Sequence, residues 1–165
     1  QQRFKAAWRR QEALDAAATP AFATSRSREA ERWRSIVEEV FDDTASSAAI
    51  FADLWDHFGR VEAWRPLARG RELLRLALEA NATVALASNF DERLLAIAGH
   101  LEPLSWVPHV FPSSEIGWRK PAPEFFRWLE RRLACRPAEA LLVGDDPELD
   151  VAAAQRAGWR ALGIA

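Results

Sequence analysis

The sequence predicts an α/β protein in which a small helical unit precedes a parallel β-sheet flanked by helices. The first 65 residues carry helix periodicity and almost no strand signal, whereas short apolar runs alternate with helix patterns from residue 66 onward. Such alternation is typical of βαβ units and therefore of a parallel sheet. With 165 residues and 49% apolar content, the chain can bury one core and carry a small helical domain. We assign residues 1–65 to the helical domain and residues 66–165 to the α/β core.

Three amphipathic helices are predicted in the helical domain, at residues 4–14, 27–41 and 46–58. Ser27 is the expected N-cap of the second helix, and Gly59 ends the third. Basic and acidic residues are interleaved at the start of the second helix, a pattern typical of a solvent-exposed helix face. We therefore expect those charges to be solvated.

The core half contains four apolar runs that predict strands, at residues 83–87, 107–111, 141–143 and 159–164. Helix patterns accompany them at residues 69–81, 91–100, 123–133 and 147–157. The unbroken apolar run 83–87 is typical of a strand buried on both faces. In the helix at 123–133, the spacing predicts that Phe125, Phe126 and Leu129 point inward.

Composition excludes several classes of partner. A net charge of −2 offers no basic face for nucleic acid or an acidic membrane, and no apolar stretch is long enough to span a bilayer. The single cysteine, Cys135, rules out an intrachain disulfide and fits a reducing compartment. We therefore expect a cytoplasmic protein. Because the chain begins at Gln1 inside a helix pattern, we also expect it to be a fragment.

Three carboxylates follow the strand at 141–143 and suggest a site for a hard cation. Asp145, Asp146 and Asp150 lie within six residues, and oxygen ligands without nearby histidine or cysteine favour Mg²⁺ over zinc. Asp146, followed by proline, also fits the N-cap of the next helix. Asp150 could face the same site or lie on the helix surface. Gly144 would let the chain turn sharply before the carboxylates.

Two more polar clusters follow the first and second strands. In doubly wound sheets, ligands bind beyond the carboxyl ends of the strands, so these clusters are candidates for the same site. Ser88 and Asn89 could receive an anion at the start of a helix, although Ser88 could equally be a capping serine. Lys120 precedes a proline and is therefore expected in extended backbone, where it could balance phosphate charge or remain an exposed surface lysine.

Three segments, taken together, resemble motifs II, III and IV of the haloacid dehalogenase (HAD) superfamily. They are VALASNF at 84–90, GWRKPAPEF at 117–125 and VGDDPELDV at 143–151, in the order and spacing of that family. The resemblance covers about residues 66–165 and is strongest to the branch that contains haloacid dehalogenase-like hydrolase domain-containing protein three. It implies a Rossmann-like HAD core with a helical cap, here residues 1–65.

The resemblance also implies roles. Ser88 would donate to a transferring phosphoryl oxygen, Asn89 would shape the pocket, and Lys120 would neutralise charge. Asp145 would hold Mg²⁺, assisted by Asp146 or Asp150. The implied activity is hydrolysis of a small phosphorylated metabolite through an aspartyl-phosphate.

One element of the family pattern is absent. The sequence contains no DxDx[TV] motif, which in this family carries the nucleophilic aspartate on the first core strand. We therefore expect this chain to lack that strand and to be inactive as a phosphatase. Two alternatives stay open: a non-catalytic HAD-like module that binds a ligand or protein, and a haloacid dehalogenase, which would use the same fold without metal.

Overall fold

The computed structural model of this chain describes residues 1–41 and 44–164. In these residues three long helices come first, and four short strands then alternate with helices, as the sequence predicted. The helices are α1 (Gln2–Ala17), α2 (Arg26–Phe41), α3 (Thr44–Gly59), α4 (Ala68–Glu79), α5 (Arg93–His100), α6 (Ser113–Ile116), α7 (Pro123–Leu133) and α8 (Ala153–Arg156). The strands are β1 (Ala85–Ser88), β2 (His109–Pro112), β3 (Leu141–Gly144) and β4 (Arg160–Gly163). Short 3₁₀ turns lie at Val61–Ala63, Leu104–Trp106 and Pro137–Glu139, and a π-helical segment (Pro147–Ala152) leads into α8.

Helix α2 packs against both α1 and α3 and buries Ile36 and Val37 between them. Its N-cap is Ser25 rather than the predicted Ser27, because the Ser25 hydroxyl accepts the backbone N–H of Arg28 at 3.2 Å. Because the first turn of α2 is charged, the apolar spacing starts only after it and does not indicate that the helix begins at Arg26.

No helix within residues 1–41 and 44–164 is long and apolar enough to cross a membrane.

Charged residues at the start of α2 are buried, so the prediction that they are solvated is wrong for Glu29 and Arg32, each 1% exposed. Arg32 donates to the carboxylate of Asp15 and, at 2.5 Å, to Glu12 Oε1 on α1. Arg119, which follows α6, donates to Glu29 Oε2 at 2.5 Å. Buried charges are stable only when they are paired, and here the partners come from distant parts of the chain. We call these five residues the buried ion cluster.

The strands are parallel, as the sequence predicted, and within the described residues they form two separate pairs. Ala85 of β1 lies opposite His109 of β2, and Leu141 of β3 lies opposite Arg160 of β4. Among the described residues no strand pairing joins the two pairs, so each of these strands is bonded along one edge. This explains why β1, predicted to be buried on both faces, is half-buried along its whole length.

Helix α7 supplies the centre of the apolar core. Phe125 and Phe126 are fully buried and Leu129 is 2% exposed, which confirms the predicted inward face of this helix. The Phe126 ring meets Trp159 edge to face at a centroid distance of 5.5 Å, and Trp159 Nε1 donates to Glu130 Oε1 at 2.8 Å. Because α7 touches residues from both strand pairs, this aromatic cluster holds the two pairs in one core.

We expect Arg32→Met to lower the free energy of unfolding by about 3 kcal/mol, because it removes the closest partner of the buried Asp15 carboxylate. Asp15 is 2% exposed and would keep its hydrogen bond from Arg28 and a longer contact with Arg119. Urea denaturation of the variant and the parent chain measures the change. Arg75→Met is the matched control, since Arg75 pairs with glutamates on an exposed helix face and its loss should have little effect. Equal losses in both variants would contradict the assignment.

Candidate active site at the ends of the strands

Two predicted site residues, Asn89 and Asp150, each contact a third, Lys120. The Asn89 side-chain amide donates to the Lys120 carbonyl at 2.9 Å, and its oxygen accepts the Lys120 backbone N–H at 2.7 Å. Lys120 Nζ lies 2.5 Å from Asp150 Oδ1. The structure therefore brings together side chains that follow β1, β2 and β3 in the sequence, as expected for the carboxyl ends of parallel strands.

Lys120 is a buried cation and not a surface lysine. It is 9% exposed, and its ammonium group also lies 5.8 Å from the centroid of the Phe125 ring. The two hydrogen bonds with Asn89 fix the backbone of Lys120, while Asp150 fixes the end of the lysine side chain. Since both ends are fixed, the positive charge is held in one place at the site, which is what electrostatic stabilisation of an anion requires.

Asp150 points into the site, which decides the question that its sequence position left open. The residue is 5% exposed, and its second oxygen accepts the backbone N–H of Asp146 at 3.1 Å. A methyl group at Gly144 would overlap the Asp150 carboxyl group. Gly144 is therefore required for this close approach, rather than for a sharp turn as the sequence suggested.

The segment that carries Asp150 is π-helical over Pro147–Ala152, where the sequence predicted one continuous α-helix. The backbone N–H groups of Asp150 and Val151 both bond to the carbonyl of Asp146, at 3.0 and 3.2 Å. The wider turn of a π-helix changes the direction in which side chains leave the axis, and such turns are frequent at functional sites. Residue spacing alone does not predict it.

The two carboxylates that precede Asp150 differ in their surroundings. Asp146 is the predicted N-cap, because its Oδ1 accepts the backbone N–H groups of Glu148 and Leu149, each at 2.8 Å. Asp145 is exposed at the end of β3. Asp145 and the second oxygen of Asp146 accept no hydrogen bond from the described residues, whereas both Asp150 oxygens already accept hydrogen bonds.

This donor set fits Mg²⁺ only in an open form. Within the part of the chain that the structure describes, no three His, Cys, Asp or Glu side chains converge as a closed metal cage would require. Mg²⁺ commonly binds through one or two carboxylates and keeps several waters, and Asp145 with Asp146 would satisfy that mode. Asp150 could join them only by sharing its contact with Lys120. The assignment of all three as ligands stays a prediction.

Ser88 is the last residue of β1 and lies opposite Pro112 of β2. It is half-buried, and its hydroxyl makes no hydrogen bond to the residues that the structure describes. The neighbouring turn is closed instead by Ser113, whose hydroxyl accepts the backbone N–H of Phe90 at 3.1 Å. Ser88 is therefore not a capping serine, and its hydroxyl is available to a ligand.

The buried ion cluster borders this site, and sequence reasoning missed it. Burial raises the pKa of Glu12, the nearby guanidinium groups of Arg32 and Arg119 oppose that rise, and the negative charges of Asp15 and Asp146 add to it. Arg119 of this cluster directly precedes Lys120 of the site in the sequence. A signal was present in the sequence, because Glu29 and Arg32 occupy helix positions in register with the buried Ile36.

Gly144→Ala tests the close approach of Gly144, the last residue of β3, to the Asp150 carboxylate. We expect the added methyl group to displace the Asp150 carboxylate and to lower the free energy of unfolding by about 1–3 kcal/mol. Gly70→Ala is the control, since a methyl group at Gly70 meets no heavy atom within 4 Å and should stabilise α4 by up to about 1 kcal/mol. Thermal or urea unfolding compares the two. A Gly144→Ala variant as stable as the parent would refute the contact.

Comparisons with known proteins fall on the same residues. A family model described as HAD-hydrolase-like matches residues 117–165. The chain is 30% identical over 119 residues to haloacid dehalogenase-like hydrolase domain-containing protein 3 from Homo sapiens, which covers 69% of this chain and 47% of that protein. It is 38% identical over 76 residues to glyceraldehyde 3-phosphate phosphatase from Methanopyrus kandleri, covering 46% of this chain and 31% of that protein. The chain spans about half the length of the first curated relatives that it matches.

The fold has relatives among solved structures as well. The crystal structure of a dehalogenase matches with a TM-score of 0.71 at 17% identity, covering 98% of this chain and 70% of that chain. At that identity the likeness establishes the fold. The matched family segment contains Lys120 and Asp150, whose side chains are in contact. The family match and the curated relatives thus support the haloacid dehalogenase-like hydrolase superfamily as the family of this chain.

Proposed function

We propose that this site binds the phosphoryl group of a small phosphorylated metabolite together with Mg²⁺, as part of a phosphate-ester hydrolase. The observation that carries the proposal is the buried Lys120, fixed by Asn89 and Asp150, with Ser88 directly before Asn89 at the end of β1. A fixed cation and a free hydroxyl donor at strand ends suit a dianionic phosphate. The named activity of the archaeal relative, a glyceraldehyde 3-phosphate phosphatase, supports a phosphorylated small molecule as the substrate.

Each residue of the site would have a separate task. Lys120 would share its positive charge between Asp150 and the phosphoryl oxygens, while Ser88 donates a hydrogen bond to one of those oxygens. Asn89 would act through the backbone of Lys120 and hold its ammonium group in place. Asp145, assisted by Asp146, would hold Mg²⁺, which when bound neutralises phosphoryl charge.

A second candidate is a HAD-like module that binds a phosphorylated ligand or a protein without catalysis. The absence of DxDx[TV] from the sequence favours it for this chain. Under either proposal the site residues supply binding and charge, and none of them supplies the nucleophilic aspartate that the family uses.

This chain should not hydrolyse a generic phosphate ester in the presence of Mg²⁺. The reason is that its sequence lacks the motif that carries the nucleophile, while Lys120 and Ser88 serve binding. Release of inorganic phosphate from p-nitrophenyl phosphate measures turnover. Turnover that disappears in Asp145→Ala would overturn this expectation, because it would place a complete catalytic site in these residues.

Phosphate binding tests the site without catalysis. We expect inorganic phosphate to bind more tightly with Mg²⁺ than without it, and Lys120→Gln to raise the dissociation constant at least tenfold, or about 1.4 kcal/mol. Calorimetric titration measures both effects. Lys5→Gln is the matched control, because Lys5 is exposed on α1, far along the sequence from the strand ends.

The controls separate the possible outcomes. Circular dichroism checks whether Lys120→Gln is folded, because the substitution leaves Asp150 without its buried partner. Binding that is weakened equally by both lysine variants would contradict a localised site. Phosphate binding that needs Lys120 but is indifferent to Mg²⁺ would favour the non-catalytic module over the hydrolase.

A further inference from the structure

An apolar cavity of about 220 Å³ lies between α2, α3 and the segment that follows β1. Its walls are mainly aromatic and aliphatic, and they include Trp33, Val40, Leu54, Trp55, Trp64 and Phe90. None of the predicted phosphate-binding or metal-binding residues lines it. The apolar cavity is therefore a second concave feature, and its walls are apolar whereas the groups around Lys120 are charged.

The cavity offers no free charge to a ligand. Among its described lining residues the one charged side chain is Arg93. Arg93 donates to both carboxylate oxygens of Asp91, each at 2.7 Å, and to the Trp55 carbonyl. Its guanidinium also lies 3.4 Å from the centroid of the Trp55 ring. Because this cation is already paired with a carboxylate and a backbone carbonyl, a charged ligand group inside the cavity would lack a partner.

The aromatic side chains in the cavity wall contact one another in pairs. Trp64 meets Phe90 edge to face at a centroid distance of 5.5 Å, and Phe51 lies 5.4 Å from Trp55. Well-packed interiors contain few voids larger than a water molecule. Two further lining residues at the rim are partly open to solvent, since Phe41 and Phe58 are 46% and 43% exposed. A small molecule therefore has a route into the cavity.

Size and wall chemistry select the ligand. An apolar cavity of about 150 Å³ engineered into another protein stays dry and binds benzene, and the present cavity is larger. Water gains little in such a space because it finds few polar partners, whereas an aromatic ring gains contacts with the aromatic and aliphatic walls. We propose that the apolar cavity binds a small uncharged aromatic molecule, or the uncharged aromatic group of a larger one, of about the size of indole.

Calorimetric titration of the chain with indole tests the proposal. We expect saturable one-to-one binding with a dissociation constant on the order of 0.1–1 mM, and a negative heat-capacity change because apolar surface is buried. Indole carboxylate, which is negatively charged at neutral pH, should bind at least tenfold more weakly because its charge has no partner. Absence of saturable indole binding, or equal binding of the charged probe, would overturn the proposal.

Variants that fill the space locate the ligand. Val40→Ile adds one methyl group and should weaken indole binding about threefold, while Val40→Phe and Leu54→Phe should weaken it at least tenfold. Leu76→Phe is the matched control, since Leu76 is 48% exposed on α4 and does not line the cavity; it should leave binding unchanged.

Folding of each variant is checked by its thermal melt. The graded Val40→Ile variant keeps the test decisive if a larger side chain prevents folding, because one methyl group is a mild change. A cavity-filling variant that is folded and binds indole as tightly as the parent would place the ligand elsewhere and refute the assignment. A graded loss at Val40 with no change at Leu76 would support it.

Discussion

Two adjacent buried cations, Arg119 and Lys120, connect the helical part of the chain to the site. Arg119 neutralises Glu29 of α2 and lies beside the carboxylates of α1, while Lys120 neutralises Asp150 after β3. A charge taken out of water costs several kcal/mol unless a partner compensates it, so the buried carboxylates of Glu29 and Asp150 both depend on this one segment. Any movement of α1 and α2 relative to the segment after α6 would therefore also shift Lys120, because Lys120 directly follows Arg119.

The same segment explains how a site can form between strand pairs that do not share backbone hydrogen bonds. Asn89 joins the end of β1 to Lys120, and Lys120 joins Asp150 beyond β3. Side chains thus link the two pairs at their carboxyl ends, and the aromatic face of α7 links them in the core. This arrangement makes the geometry of the site dependent on tertiary packing, and it explains why Gly144 must leave room for the Asp150 carboxylate.

The chain presents two binding environments of opposite character. Around Lys120 the groups are charged, fixed and hydrogen-bonded, which suits an anion with a metal ion. Between α2 and α3 the walls are aromatic, and the single cation among the described lining residues is fully engaged by Asp91 and Trp55. Phe90 lines the apolar cavity and follows Asn89 directly in the sequence, so a short stretch after β1 contributes to both.

Sequence alone determined what depends on neighbouring residues. Apolar spacing predicted the inward face of α7, and the run of Asp146 before proline predicted the cap, because both follow from contacts within one turn of helix. Sequence order at the strand ends also predicted that Asn89, Lys120 and Asp150 belong to one region. Only the tertiary structure decided that Glu29 and Arg32 are buried, that Asp150 pairs with Lys120 through a π-helical turn, and that the strands form two pairs. The reason is physical. Helix spacing could place Glu29 and Arg32 on the same face as Ile36, but their ionic partners and the strand edges come from residues up to 90 positions apart, which local spacing does not identify.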